Sequence, residues 1–140
     1  MKRFAGIGLL AVSLVASIQG LTAATPVVAT AARGAQAWLG LLDTGDYSQT
    51  WSTAAKHLRD SISESQWISR LSEERGSQGA VQSRSLESAE FVPSKPGAPE
   101  GEHVVIRFAT DFEHHAGATE TEVLIKDSDG QWRVDAYSIT

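Results

Sequence analysis

Asp127-Ser128-Asp129-Gly130-Gln131-Trp132-Arg133-Val134-Asp135-Ala136-Tyr137 is the stretch whose reading decides the fold. Asp129-Gly130 is a turn dipeptide. The residues after it alternate as a strand does, with Trp132, Val134 and Ala136 on one face and Arg133, Asp135 and Tyr137 on the other. A strand that buries a tryptophan needs a sheet beside it and a layer above it.

Reading backwards from there supplies the sheet. Thr119 to Lys126 alternates, with Thr121, Val123 and Ile125 on one face and Glu120, Glu122 and Leu124 on the other. Ala116-Gly117 is the expected turn before it. Glu102 to His114 alternates cleanly, turning Val104, Ile106, Phe108 and Phe112 one way and Arg107, Asp111 and Glu113 the other. Ser94 to Gly101 holds Pro96, Gly97 and Pro99 and reads as a loop. Ala80 to Val92 is the least regular strand, because Val81, Leu86, Ala89 and Phe91 change parity, which predicts a bulge.

The layer comes from the first half of the chain. Val27, Ala31, Ala35, Trp38 and Leu42 recur at helical spacing, and Thr44-Gly45-Asp46 ends that helix. A second helix is predicted from Ser48 to Arg59, with Tyr47, Trp51, Ala54, Ala55 and Leu58 along one side. Ser63 and Gln66 match a capping box that opens a third helix from Glu64 to about Arg75, ended by Gly76 and Gly79. Three N-terminal helices followed by four strands on short connections make an α+β domain. Its antiparallel four-stranded sheet carries the helices on its apolar face.

Residues 1–23 read as a secretory signal peptide: Met1-Lys2-Arg3 is basic, Phe4 to Ile18 is uncharged and mostly apolar, and small residues follow. Cleavage after Gly20, Ala23 or Ala24 fits, leaving residues 24–140 as a single domain. The apolar run is short of the ~20 residues of a spanning helix, so no stable membrane insertion is expected after cleavage. Loss of Lys2 and Arg3 takes the net charge from −5 to about −7. An acidic surface without a basic cluster excludes nucleic acid as a partner. The chain contains no cysteine, which excludes disulfides, thiol catalysis and a lipoprotein anchor.

Ala37-Trp38-Leu39, Asp43-Thr44-Gly45-Asp46-Tyr47 and Trp51 resemble the helical half of the bacterial domain-of-unknown-function family 4019. Pro96 to Val105, Phe112, Glu120 and Asp129-Gly130-Gln131-Trp132-Arg133-Val134 resemble its strand half, so the likeness spans about Ala32 to Ile139. The sequence departs from that pattern at His103 and at His114-His115. The resemblance implies a cone-shaped, nuclear transport factor 2-like or cystatin-like layout, with helices lying across a curved sheet. It implies no activity, cofactor or catalytic residue.

Each candidate chemistry meets a structural alternative. His57, His103, His114 and His115 invite a metal reading, yet neighbours on a strand point to opposite faces, and no ligand motif such as His-Glu-x-x-His occurs. No Gly-x-Ser-x-Gly occurs to position a nucleophilic serine. Glu120 and Glu122 point the same way and suggest acid/base work; the competing expectation pairs them with Arg107 and Arg133 on the wet face of the sheet. Neither a cofactor nor a metal is expected.

Tyr47, Trp51, Phe108 and Trp132 either fill the core or line a hollow that takes a small apolar or aromatic ligand. Arg107, Arg133, Asp135 and Tyr137 form a candidate interaction face for a protein partner or a homodimer. The function read from the chain is therefore a non-catalytic binding or interaction module. Its rival is an enzyme working in the same hollow, and the discriminator is a titratable group pointing into it.

Overall fold

A computed structural model describes residues 26–93 and 101–140. The expected leader at 1–23 lies outside the described residues, as does most of the loop from Ser94.

Four helices precede four strands: α1 Pro26–Asp43, α2 Tyr47–Ser52, α3 Lys56–Ser61 and α4 Glu64–Gln78, then β1 Val81–Val92, β2 His103–Phe112, β3 His115–Lys126 and β4 Trp132–Ile139. The strands pair antiparallel in the order β1-β2-β3-β4, an open meander, as the short connections require. Val28, Ala31, Ala35, Trp38, Leu39 and Leu42 form the buried stripe of α1. They pack with Leu58, Trp67 and Leu71 of the later helices on Val104, Ile106, Phe108, Leu124 and Val134 of the sheet.

The second expected helix is two short ones. Ala55 takes an extended ψ of 149° and its N–H donates to the Val134 carbonyl of β4 at 2.8 Å. A backbone amide taken by the sheet cannot continue a helical ladder, so the helix breaks there. Ala54 and Ala55 are fully buried, and only small side chains let the two backbones come so close. α3 thereby covers part of the outer edge of β4, which blunts an otherwise open strand edge.

The capping box at Ser63 and Gln66 is present, but α4 runs through Gly76 and stops at Gly79, where φ is +78°. In β1 the ladder slips between Val81 and Ser83 and again between Leu86 and Ser88, which accounts for the change of parity in the sequence. The β2–β3 reversal falls at Glu113-His114 rather than Ala116-Gly117, since Phe112 pairs with His115. The Gly117 N–H instead donates to Asp111 Oδ1 at 2.7 Å, tying the start of β3 back to β2.

A bulge in β4 corrects the face assignment of the closing strand. Val123 pairs with Ala136 but Leu124 pairs with Val134, so Asp135 is an extra residue and the alternation changes phase. Trp132 and Val134 face the helices as expected. Beyond the bulge Tyr137 takes the inward place and Ala136 is exposed, the reverse of the simple alternation.

Candidate functional site

Register places an acid pair inside the domain. Glu120 lies opposite Phe108, and Glu122 lies opposite Ile106, so both carboxyls share the face that packs on the helices. Both residues have no exposed surface. The expected pairing with Arg107 and Arg133 on a wet face is therefore overturned. Arg107 is exposed on the opposite face, and Arg133 is held by Asp127 and Asp129.

Glu120 is the centre of a hydrogen-bonded cluster drawn from every strand and the end of α1. Its Oε1 accepts from Arg84 Nε at 2.7 Å and from the Thr110 hydroxyl at 2.6 Å. Its Oε2 accepts from the Tyr137 hydroxyl at 2.5 Å and from Arg84 Nη2 at 3.2 Å. Arg84 continues outward to both oxygens of Asp43, at 2.6 and 2.9 Å. Arg75, buried on α4, donates from Nη2 to Asp43 Oδ1 at 3.0 Å, and its guanidinium lies over the Phe112 ring. Glu120 is thus linked through Arg84 to Asp43, which is partly exposed at the end of α1.

The cluster polarises its members in opposite directions. Burial alone raises the Asp43 pKa, but hydrogen bonds and charge from Arg84 and Arg75 outweigh it and hold the carboxyl below its ordinary value. Burial, with the charge and hydrogen bond of Glu120, pushes the Tyr137 phenol far up, so it stays a donor. Glu122 differs from its neighbour. Both of its oxygens are buried without a hydrogen-bond partner, and burial followed by the charge of Glu120 pushes its carboxyl well above the ordinary range.

The aromatic residues of the helices are anchored by their polar atoms. Trp38 Nε1 donates to the Thr50 carbonyl at 2.9 Å, and Trp67 Nε1 donates to the Thr50 hydroxyl at 3.0 Å. Trp38 makes tilted contacts with Trp67 and Tyr137, with centroids 6.3 and 5.4 Å apart. These bonds lock the layer above the cluster.

Concave surfaces lie at the edges of this core. Between α1 and β4 runs a groove of about 310 Å³, lined by Gly34, Ala37, Trp38, Leu41, Leu124, Trp132 and Val134, with Thr53 and Arg133 at its rim. Between α3, α4 and β4 lies one of about 330 Å³, containing His57, Leu58, Ser61, Ile62, Trp67, Arg70, Asp135, Ala136 and Tyr137. A wider depression of about 690 Å³ borders Asp43, Tyr47, Arg75 and Gly79.

The structure does not gather the four expected ligand-binding residues around one cavity. Trp132 lines the α1–β4 groove and Tyr47 the wider depression. Phe108 is 2% exposed in the packed core. Trp51 is half-buried, its indole N–H donating to the Ile62 carbonyl at 3.0 Å. Of the expected interaction face, Tyr137 is buried on Glu120 and Asp135 accepts from His57 Nδ1 at 2.9 Å. Neither is available on the outer face of the sheet. Among the described residues no three His, Asp or Glu side chains converge on a metal-sized site.

Sequence reasoning missed Arg84, Thr110 and Glu120 as one constellation. A signal was present: Glu120 and Glu122 share parity with Leu124, and Leu124 belongs to the core. The choice of face was obscured because Val123 and Ile125, on the opposite parity, are also buried.

No curated protein matches the chain, and no solved structure does. Residues 34–137, which include every member of the buried cluster and of both smaller grooves, match the model of a family described as Protein of unknown function (DUF4019), and the chain belongs to that family.

Proposed function

We propose that the domain is an exported, non-catalytic binding module that takes a small apolar or aromatic ligand in the groove between α1 and β4. The groove itself carries this reading. Its walls are Ala37, Trp38, Leu41, Leu124, Trp132 and Val134, and Gly34 leaves the α1 side open. About 310 Å³ is at the small end of ligand pockets, the size of a compact ring system.

The fate of the inward titratable groups supports binding over acid/base chemistry. All of the Glu120 acceptor capacity facing the core is engaged by Arg84, Thr110 and Tyr137. The Tyr137 proton is committed to Glu120. Both Glu122 oxygens are sealed from solvent. A general base must reach the proton it removes, and none of these three lines the α1–β4 groove. Export is supported by the basic Lys2-Arg3 followed by the apolar run to Ile18.

N-phenyl-1-naphthylamine, an uncharged aromatic probe, tests the reading. Saturable gain of probe emission, with quenching of tryptophan fluorescence that is reduced in Trp132→Phe, is the expected result. A Cβ at Gly34 would sit 3.8 Å from Leu124 and 3.9 Å from the Trp132 carbonyl, so Gly34→Leu fits the helix and fills the groove. Probe binding that survives Gly34→Leu unchanged, or never saturates, defeats the proposal.

A further inference from the structure

A second site is built where α3 and α4 meet β4. The bulge at Asp135 turns its carboxylate, 7% exposed, towards α3, where both oxygens accept from His57 Nδ1 at 2.9 and 3.2 Å. A carboxylate only accepts, so Nδ1 carries the hydrogen and the other ring nitrogen, Nε2, is left for a ligand. The imidazole is half-exposed and lines the groove of about 330 Å³.

Arg70, one turn after Trp67 on α4, lines the same groove. Its guanidinium lies 5.7 Å from the centroid of the Trp67 ring, a cation–π contact. Among the described residues it makes no hydrogen bond; its ion-pair contact is Glu74 at 3.9 Å, beyond hydrogen-bond length. Leu58, Ile62 and Trp67 supply an apolar wall. Two other polar groups there are already engaged: Ser61 donates to the His57 carbonyl and Tyr137 donates into the core.

A fixed imidazole nitrogen, a guanidinium fork and an apolar wall in one groove call for a particular chemistry. The guanidinium matches a carboxylate. Nε2 matches a hydroxyl, which can donate to a neutral ring or accept from a charged one. We propose that this groove binds a small hydroxycarboxylate with an apolar or aromatic body, its carboxylate on Arg70, its hydroxyl on His57 and its body against Leu58, Ile62 and Trp67. The site is independent of the α1–β4 groove.

Mandelate and phenylacetate differ by that hydroxyl and serve as probes on the intact domain, with binding followed by calorimetry and by the His57 ring signals in NMR. Mandelate is expected to shift the His57 signals and to bind more tightly than phenylacetate. Arg70→Gln is expected to weaken both ligands roughly tenfold or more, the effect of losing a charged hydrogen bond. His57→Leu should abolish the preference for mandelate while phenylacetate binding stays. Glu74→Gln, which frees Arg70 of its competitor, should tighten both about twofold. Gly34→Leu should leave mandelate affinity unchanged, which separates this site from the other groove. Unmoved His57 signals at saturating mandelate, or affinity indifferent to Arg70→Gln in a protein with native circular dichroism, overturns the proposal.

Discussion

Replacing Glu122 by Gln should make the domain more stable at neutral pH, although it alters a fully buried core residue. The Glu122 carboxyl has both oxygens buried without a partner and lies on the same strand face as Glu120. Burial first, and the Glu120 charge second, push its pKa well above the ordinary carboxyl value. The folded protein therefore holds a proton that the unfolded chain releases. The sign follows from linkage: the contribution is whole below the unfolded carboxyl value of about 4.3. It is lost progressively as pH rises towards the folded value. One proton is involved, so the loss runs at up to about 1.4 kcal/mol per pH unit across that window. Gln keeps the shape and cannot ionise. Urea unfolding of wild type and Glu122→Gln at pH 4, 5, 6 and 7 is the assay, with the slope against denaturant checked for constancy. The two proteins should agree to within ~1 kcal/mol at pH 4, where both side chains are neutral, and diverge at higher pH in favour of Gln. A gap that does not change with pH would refute the burial of an unpaired carboxyl.

The neighbouring cluster predicts losses instead. Arg84→Met leaves buried Glu120 without a counter-ion and Asp43 with Arg75 alone, and breaking a buried pair from one side should cost about 3–5 kcal/mol in the same unfolding assay. Tyr137→Phe removes the hydroxyl that donates to Glu120 at 2.5 Å and should cost about 1.5–3 kcal/mol, with little effect if Tyr137 faced water as simple alternation has it. Gly79→Ala adds a Cβ 2.9 Å from Glu113 Cβ and 2.9 Å from His114 at a φ of +78°, so the melting temperature should fall by more than a surface substitution allows. Asp129, held down to about 2 by the Arg133 hydrogen bonds, stabilises above the ordinary carboxylate range and loses that effect as pH falls through about 2. An NMR titration of Arg133→Gln should show it moved up towards the usual ~3.9, with the Gln131 amide still holding it somewhat below.

The elements themselves were legible because each carries its own periodicity. α1 was readable from Val27 to Leu42 by its 3.6-residue stripe, and β2 by strict alternation; the capping box at Ser63 located the start of α4 within one residue. Where a single residue belongs to two elements, local pattern was insufficient. Ala55 carries the helical stripe in sequence, yet its amide bonds to β4, seventy-nine positions away at Val134, and that bond splits the helix. The trade between helix ladder and sheet edge is decided by proximity in space.

The candidate sites follow the same division. The acids, arginines, histidine and tryptophans that matter were all visible as residue types, and the sheet order followed from short connections. Which face each one occupies was not, because a strand has two faces and one inserted residue exchanges them. Asp135 is that residue in β4: it sends Tyr137 inward to Glu120 and leaves its own carboxylate for His57. The sequence alone determined an α+β chain with helices first and an antiparallel meander after. Only the tertiary structure decided that a charged cluster is sealed beneath those helices and that two grooves flank it, since register and bulge, not composition, set the direction of every side chain in a sheet.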